Sequence, residues 1–316
     1  MAARTLLQLV QAAANELGIP EPSQVIGATD DTSRQLLALA NREGKEFSQM
    51  ANKNGGWQAL HKEYTFTVVG YTGATGNITT GSTIVSGISS TSNMLAGQII
   101  GGNGIPNQSR IVSVDSSTQI TMDLAATGTA TGIDLTNGKD YYDLPSDLEY
   151  FMQRTFWDRS YRWQLLGPLE AQEKNVIKYG ISPVGPRRRF WIQKSTVTGN
   201  LAMFINPVPS NTTDLITYDY LSNAWCTDDS GSIDQSLWAA DTDTYKLDEE
   251  CFIFGLKFRY LRAKGLDYGE EYEMYQRACS RVMARDGANR DLPINAQATG
   301  IYLLSSANVP DSGFGS

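Results

Sequence analysis

The sequence holds 316 residues, 41% hydrophobic and 19% charged, and carries a net charge of −8. That length buries a sizeable core and leaves room for more than one domain. The acidic balance argues against tight non-specific DNA binding, which needs clustered Lys and Arg, and no apolar run nears the ~20 residues of a membrane span.

Two helices are expected first. Leu6, Val10, Ala13 and Leu17 share one face, while Gln8, Gln11, Asn15 and Glu16 interrupt any signal-like apolar region. Gly18 and Pro20 stop that helix. Thr29-Asp30-Asp31 then offers side-chain oxygens to the first-turn amides of a second helix. Its inner face holds Leu36, Leu39, Ala40, Phe47 and Met50, and Asn54-Gly55-Gly56 ends it. Tyr64, Phe66 and Val68 alternate with polar residues, which predicts a strand.

Composition changes abruptly at Val69. From there to Asn137 the only charged residues are Arg110, Asp115, Asp123 and Asp134, and Gly, Ser and Thr dominate. Short β-type runs recur between turns, at 77–80, 83–86, 98–100, 111–114 and 119–122. Such spacing predicts a small antiparallel sandwich, and the paired Ile and Val residues argue against disorder.

After Lys139 the earlier style returns. Ser146 and Glu149, three apart, read as a capping box that opens a helix through Phe156. Pro168 opens another short helix, ended near Gly180, with Glu170 and Glu173 as first-turn acids. Strands are expected at 189–193, 201–205 and 215–220. Two helices follow. The first, 247–264, has Asp248, Glu249 and Glu250 at its start and Lys257, Arg259, Arg262 and Lys264 toward its end, which complements the helix dipole. The second carries Tyr268, Tyr272, Tyr275, Cys279 and Val282 as a seam for another helix, and Gly287 ends it.

The expected fold class is therefore α+β: a helical bundle packed with a small antiparallel sheet, interrupted by an inserted all-β sandwich and followed by an extended C-terminal arm. The boundaries are 1–68 and 138–288 for the discontinuous core, 69–137 for the insertion and 289–316 for the arm. The arm has no helical period, and its exposed Ile301, Tyr302, Leu303 and Leu304 suit an extended strand added to a partner.

The sequence offers few residues for catalysis. Cys226, Cys251 and Cys279 are widely separated, form no CxxC pair and read as small buried hydrophobes in a reducing compartment. A Ser-His-Asp arrangement would have to use His61, the sole histidine, and no G-x-S-x-G elbow accompanies it. Glu63 lies on the same side of the strand, so a His61–Glu63 contact is available, but a surface or capping histidine is the plainer reading. No zinc set, phosphate loop or dinucleotide turn is present. Asp228, Asp229, Asp234, Asp241 and Asp243 crowd one polar stretch without the spacing of a Ca²⁺ loop, and read as a solvated loop. No catalytic residue, metal or cofactor is expected. Arg187, Arg188 and Arg189, followed by Phe190 and Trp191, form the one nucleic-acid-like patch. It is short and stands in an acidic chain, so ion pairing between subunits is preferred to DNA contact.

Three stretches carry a resemblance. They are Thr5 to Pro20 with the helix that follows up to Trp57, the helix pair from Phe254-Gly-Leu-Lys-Phe-Arg-Tyr through Ala284-Arg-Asp-Gly287, and the ending Asn308-Val-Pro-Asp-Ser-Gly-Phe-Gly315. Together they resemble the head-to-tail adaptor, or connector, proteins of tailed bacteriophages, short-tailed ones above all. The 69–137 segment looks like the immunoglobulin-like modules grafted onto phage structural proteins. The resemblance implies a virion protein at the head–tail junction, assembled in the host cytoplasm without contact with a membrane. It implies a homo-oligomeric ring of twelve copies under the portal, with DNA passing non-specifically through the lumen. The lower face would meet a tail nozzle or tube protein, with tail fibres as a further contact. The portal would be gripped by Ile301 to Leu304 and by Asn308, Val309, Pro310 and Phe314. Ring contacts would fall to Tyr268, Tyr272 and Tyr275, beside Arg187, Arg188 and Arg189. Two rival readings are a tail-fibre or adhesin component that binds a host-surface glycan, and a cell-wall hydrolase carried in the particle.

Overall fold

The computed structural model describes residues 3–50, 55–179 and 187–287, and over them the chain is a mixed α+β protein with several small antiparallel sheets. Helix α1 (Leu6–Leu17) starts at Thr5, whose hydroxyl accepts from the Gln8 amide while the Gln8 side chain accepts from the Thr5 amide. The reciprocal cap fixes where the helix begins. Gly18 ends it in the left-handed conformation, φ 67°, where a Cβ would be strained. Helix α2 (Asp31–Ser48) is capped by Asp30, which accepts from the Ser33 amide at 2.8 Å. Strand β1 (His61–Thr67) follows, as the alternation predicts.

Residues 70–138 supply β2 (Gly70–Ile78), β3 (Ile84–Val85), β4 (Ile99–Gly101), β5 (Ile111–Ser116), β6 (Gln119–Met122) and β7 (Ala130–Gly138). They make two three-stranded antiparallel sheets, ordered β2-β7-β4 and β3-β6-β5. Ile78, Val85, Ile100, Ile111, Ile120 and Leu135 lead a core that, among the described residues, takes none from outside 74–135. Strand β7 is absent from the sequence reading because Gly132 and Gly138 dilute its alternation. It nevertheless pairs with β2 along nearly its whole length, starting at Gly70 opposite Gly138.

Next come β8 (Tyr141–Asp143), β9 (Leu148–Phe151), β10 (Trp157–Asp158), β11 (Trp163–Gln164), α3 (Ala171–Tyr179), β12 (Arg189–Lys194), β13 (Leu201–Asn206) and β14 (Leu215–Ser222). The expected helix from Ser146 through Phe156 does not form; strand β9 lies within that stretch and β10 directly follows it. The reason lies in the partners. Glu149 accepts from the Gln49 side chain instead of closing a capping box, and both strands add to β14. Aromatic residues such as Tyr150, Phe151, Phe156 and Trp157 fit a pleated, half-buried surface better than a helix.

Strand β14 is the spine of a five-stranded sheet. It pairs with β1 over seven residues, from His61 opposite Leu221 to Thr67 opposite Leu215. A second sheet, β12-β13-β8, contributes to the same aromatic core. There Phe156 meets Phe190 at 4.2 Å between ring centroids and Tyr218 at 5.2 Å.

The short strands β15 (Cys226–Thr227), β16 (Asp234–Gln235) and β17 (Thr244–Tyr245) lead into α4 (Glu249–Lys264) and α5 (Gly269–Arg285). Helix α4 is central, with α1, α2 and α5 all packed on it. Because it is covered on so many sides it has no single apolar stripe, and nine of its residues are buried. Two of those are charged. Lys257 pairs with Glu16 of α1 at 2.8 Å and Glu271 of α5 at 3.0 Å. Arg259 pairs with Glu43 at 2.5 Å and Glu46 at 2.9 Å, both on α2. The sequence assigns these two bases to the helix dipole; the structure gives them a pairing role instead. Gly44 and Gly255 permit the close approach: a Cβ on Gly44 would meet the Trp225 ring at 2.5 Å, and one on Gly255 would strike the Glu43 carboxylate.

Candidate assembly surfaces

The three arginines expected at a subunit contact have different fates. Arg187 is exposed. Arg188 turns inward between two buried carboxylates, donating to Asp158 at 2.7 Å and forming a second ion pair with Asp214. Its guanidinium also lies 5.5 Å from the Tyr161 ring centroid. Arg189 is half-buried, and Phe190 and Trp191 are buried, so neither ring is available to stack on a base. The tyrosine seam divides in the same way. Tyr275 packs against Phe258 at 4.9 Å and is buried, whereas Tyr268 and Tyr272 remain 39% and 40% exposed. Residues Ile301 to Leu304, Asn308, Val309, Pro310 and Phe314 lie outside the described residues.

A surface that the sequence reading passes over stands beside Arg187. The β10–β11 hairpin exposes Arg159, Arg162, Tyr161 and Trp163, with the two rings stacked at 6.0 Å. Its signal was the alternation Trp157-x-Arg159-x-Tyr161-x-Trp163, hidden by the helix expected just before it.

Where the 70–138 sheets meet the rest of the chain, the contact is polar and tight. Arg110 donates to both Asp140 oxygens, at 2.9 and 2.7 Å, and to the Gly97 carbonyl at 2.7 Å. Such a two-point guanidinium–carboxylate pair fixes orientation as well as distance. Gly70 and Gly138 both sit against the Pro209 carbonyl, where a Cβ would not fit. A groove of about 480 Å³ opens there, lined among others by Ile100, Ile105, Asn137, Ile177 and Pro207.

The residues weighed for chemistry are dispersed. Asp228 accepts from the Ser232 and Ile233 amides of its own loop, Asp241 from Val25 and Ile26, and Asp243 from Ala239 and Ala240. Asp234 pairs with Lys62 and Lys246. Among the described residues no group of three or more His, Cys, Asp or Glu side chains is placed to hold a metal ion. His61 lies opposite Leu221 and Glu63 opposite Asp219, whose carboxyl is raised by burial and by Glu63 against the pull of His61. Glu63 instead accepts from Thr217 at 2.9 Å. All three cysteines are buried and free, and burial pushes the Cys226 thiol up to about 12. No helix among the described residues is long and apolar enough to cross a membrane.

No curated protein matches the chain. Among protein families, the SU10 adaptor protein family matches residues 108–297, more than half of the sequence. The match begins inside the 70–138 sheets just before β5 and runs through α5, so it takes in the β10–β11 hairpin, the central helix and all of the aromatic core except what β1 and Val68 contribute. The chain belongs to the SU10 adaptor protein family and is a phage adaptor.

Proposed function

We propose that the chain is a non-enzymatic structural component of the virion, a ring at the head–tail junction that joins the portal to the tail and lets DNA pass. The observation that carries this reading is the adaptor-family match over residues 108–297. Twelve copies, the number implied by the likeness to connectors of short-tailed phages, is the stoichiometry assigned. The net charge of −8 supports a lumen that duplex DNA slides past without sticking. Residues 69–137 are read as an immunoglobulin-like module carried on a discontinuous core; the self-contained hydrophobic cluster within 74–135 supports this. Residues 289–316, with Ile301 to Leu304 and Asn308 to Phe314, form the portal-gripping arm. The lower face receives the tail.

The test is electron microscopy of the full chain with and without its own phage's portal ring. Stacked rings that appear with the portal are the expected result. A chain found on fibres or host cells, with no portal association, would overturn the adaptor ring in favour of an adhesin. Deletion of 289–316 should leave a folded protein that no longer binds portal, and unchanged binding would refute the role of the arm.

A further inference from the structure

We infer that neighbouring copies join head to tail through two different surfaces of this chain: the basic aromatic β10–β11 hairpin of one copy and the acidic α4–α5 corner of the next. The inference rests on the ring reading above and names the surfaces that close the ring.

Among the described residues, the hairpin carries positive charge that its own fold neutralises only weakly. Asp158, the only acid within it, is buried and engaged by Arg188. Glu63 stands 3.7 Å from Arg159, but both side chains are more than half exposed, and such a pair holds little in water. Arg162 and Arg187 are exposed as well. Around this charge sit Tyr161 at 52%, Trp163 at 38% and Leu166 at 39% exposure. Arg, Tyr and Trp are the residue types enriched where binding energy concentrates in protein interfaces.

The corner is the chemical complement. From Leu266 to Met274 the chain holds four acids, Asp267, Glu270, Glu271 and Glu273, and no base, with the exposed Arg262 and Lys264 in the turn of α4 just before them. Glu271 is engaged by Lys257 below it, and Glu273 pairs at the surface with Arg277 one turn on; Asp267 and Glu270 are exposed without such a partner among the described residues. Interleaved with them are Leu266 at 55%, Tyr268 at 39%, Tyr272 at 40% and Met274 at 38% exposure. An apolar group edged by acids meets an apolar group edged by arginines, which favours the mating and fixes its register.

The occupant is a second copy because the two surfaces are different and belong to different parts of one chain. The hairpin closes the aromatic core and the corner closes the helical core. A contact between unlike surfaces leaves one of each free on every copy, so addition continues until the rotation closes a ring. Duplex DNA on the hairpin would satisfy the arginines but would leave the exposed corner without a role.

The test uses the full chain with Arg162→Cys and Glu270→Cys, since the native cysteines are buried. With a short bis-maleimide, the double variant should give a ladder of covalent multimers. Each single variant should give none, and an equal mixture of the two singles should stop at dimer. Single variants that couple to themselves would overturn the inference, as would rings visible by microscopy that give no ladder. The reaction is run with the phage's own portal ring present, and monomer at every concentration under that condition, without rings, would instead overturn the ring reading. As a second measurement, Arg162→Glu or Glu270→Arg alone should weaken self-association at least tenfold, and the pair together should restore it. Loss of duplex-DNA retention by Arg162→Glu with assembly intact would assign the hairpin to DNA and refute the pairing.

Discussion

Arg259→Met removes the cation that holds α2 onto the central helix. Glu43 has no exposed surface, and its carboxyl is raised by burial against the opposing pull of Arg259. Without the guanidinium, an ionised Glu43 stays enclosed beside Gly255, Tyr275 and Glu46. Leaving one member of a buried ion pair unpartnered destabilises by about 3–5 kcal/mol, a large share of the roughly 5–15 kcal/mol that holds a domain folded. The sign with pH follows from linkage. The raised pKa means that folded Glu43 binds its proton more tightly than the unfolded chain does. Stability therefore falls as pH rises from the unfolded carboxylate value through the folded one, and the penalty shrinks in acid, where Glu43 is protonated. The assay is urea unfolding followed by helical circular dichroism at pH 5 and pH 7. Arg259→Met should be several kcal/mol less stable at pH 7 and closer to the parent at pH 5, while Arg259→Met with Glu43→Leu should recover most of the loss. An Arg259→Met protein as stable as the parent at pH 7, or a double variant worse than the single, would refute this account of the pair.

Gly44→Ala should destabilise by about 1–3 kcal/mol, because the added methyl must displace the buried Trp225 ring; thermal unfolding checks it. In the folded protein Cys226 should react with a thiol reagent roughly a thousandfold more slowly than a free cysteine, given its raised pKa and burial. All three thiols should appear together in denaturant, measured by reagent absorbance. Replacing 70–136 with a short Gly-Ser turn should leave the helical circular dichroism signal in place, since Gly70 and Gly138 are already paired neighbours; loss of that signal would show that the core depends on the removed sheets.

Much of the helical part was legible because its signals are local. Asp30, Gly18, Asp248 and Gly265 stand at helix ends, and each does there what its chemistry dictates. What escaped was decided by distant partners. Ser146 and Glu149 have capping-box spacing, yet Gln49 and β14 claim the segment, and local propensity yields to the sheet. Lys257 and Arg259 sit where bases suit a helix dipole, and only the packing of three helices around α4 shows them to be internal pairs. Among the candidate surface residues, exposure rather than residue type divides Arg187 from Arg188 and Tyr268 from Tyr275. An unpaired sequence holds no record of exposure at that resolution.

Strand β1 passes into β2 through only Val68 and Val69, and that continuity has a mechanical consequence. A pull on the far end of the 70–138 sheets runs down β2 and β7 side by side, so both strands share the tension and no hydrogen bond between them is sheared. The share carried by β7 then passes into β8, while that carried by β2 enters the aromatic core along β1, lengthwise. There it meets seven residues in register with β14, whose bonds lie across the pull and must yield together rather than one at a time. The chain thus anchors its outlying sheets as a lap joint anchors a strap.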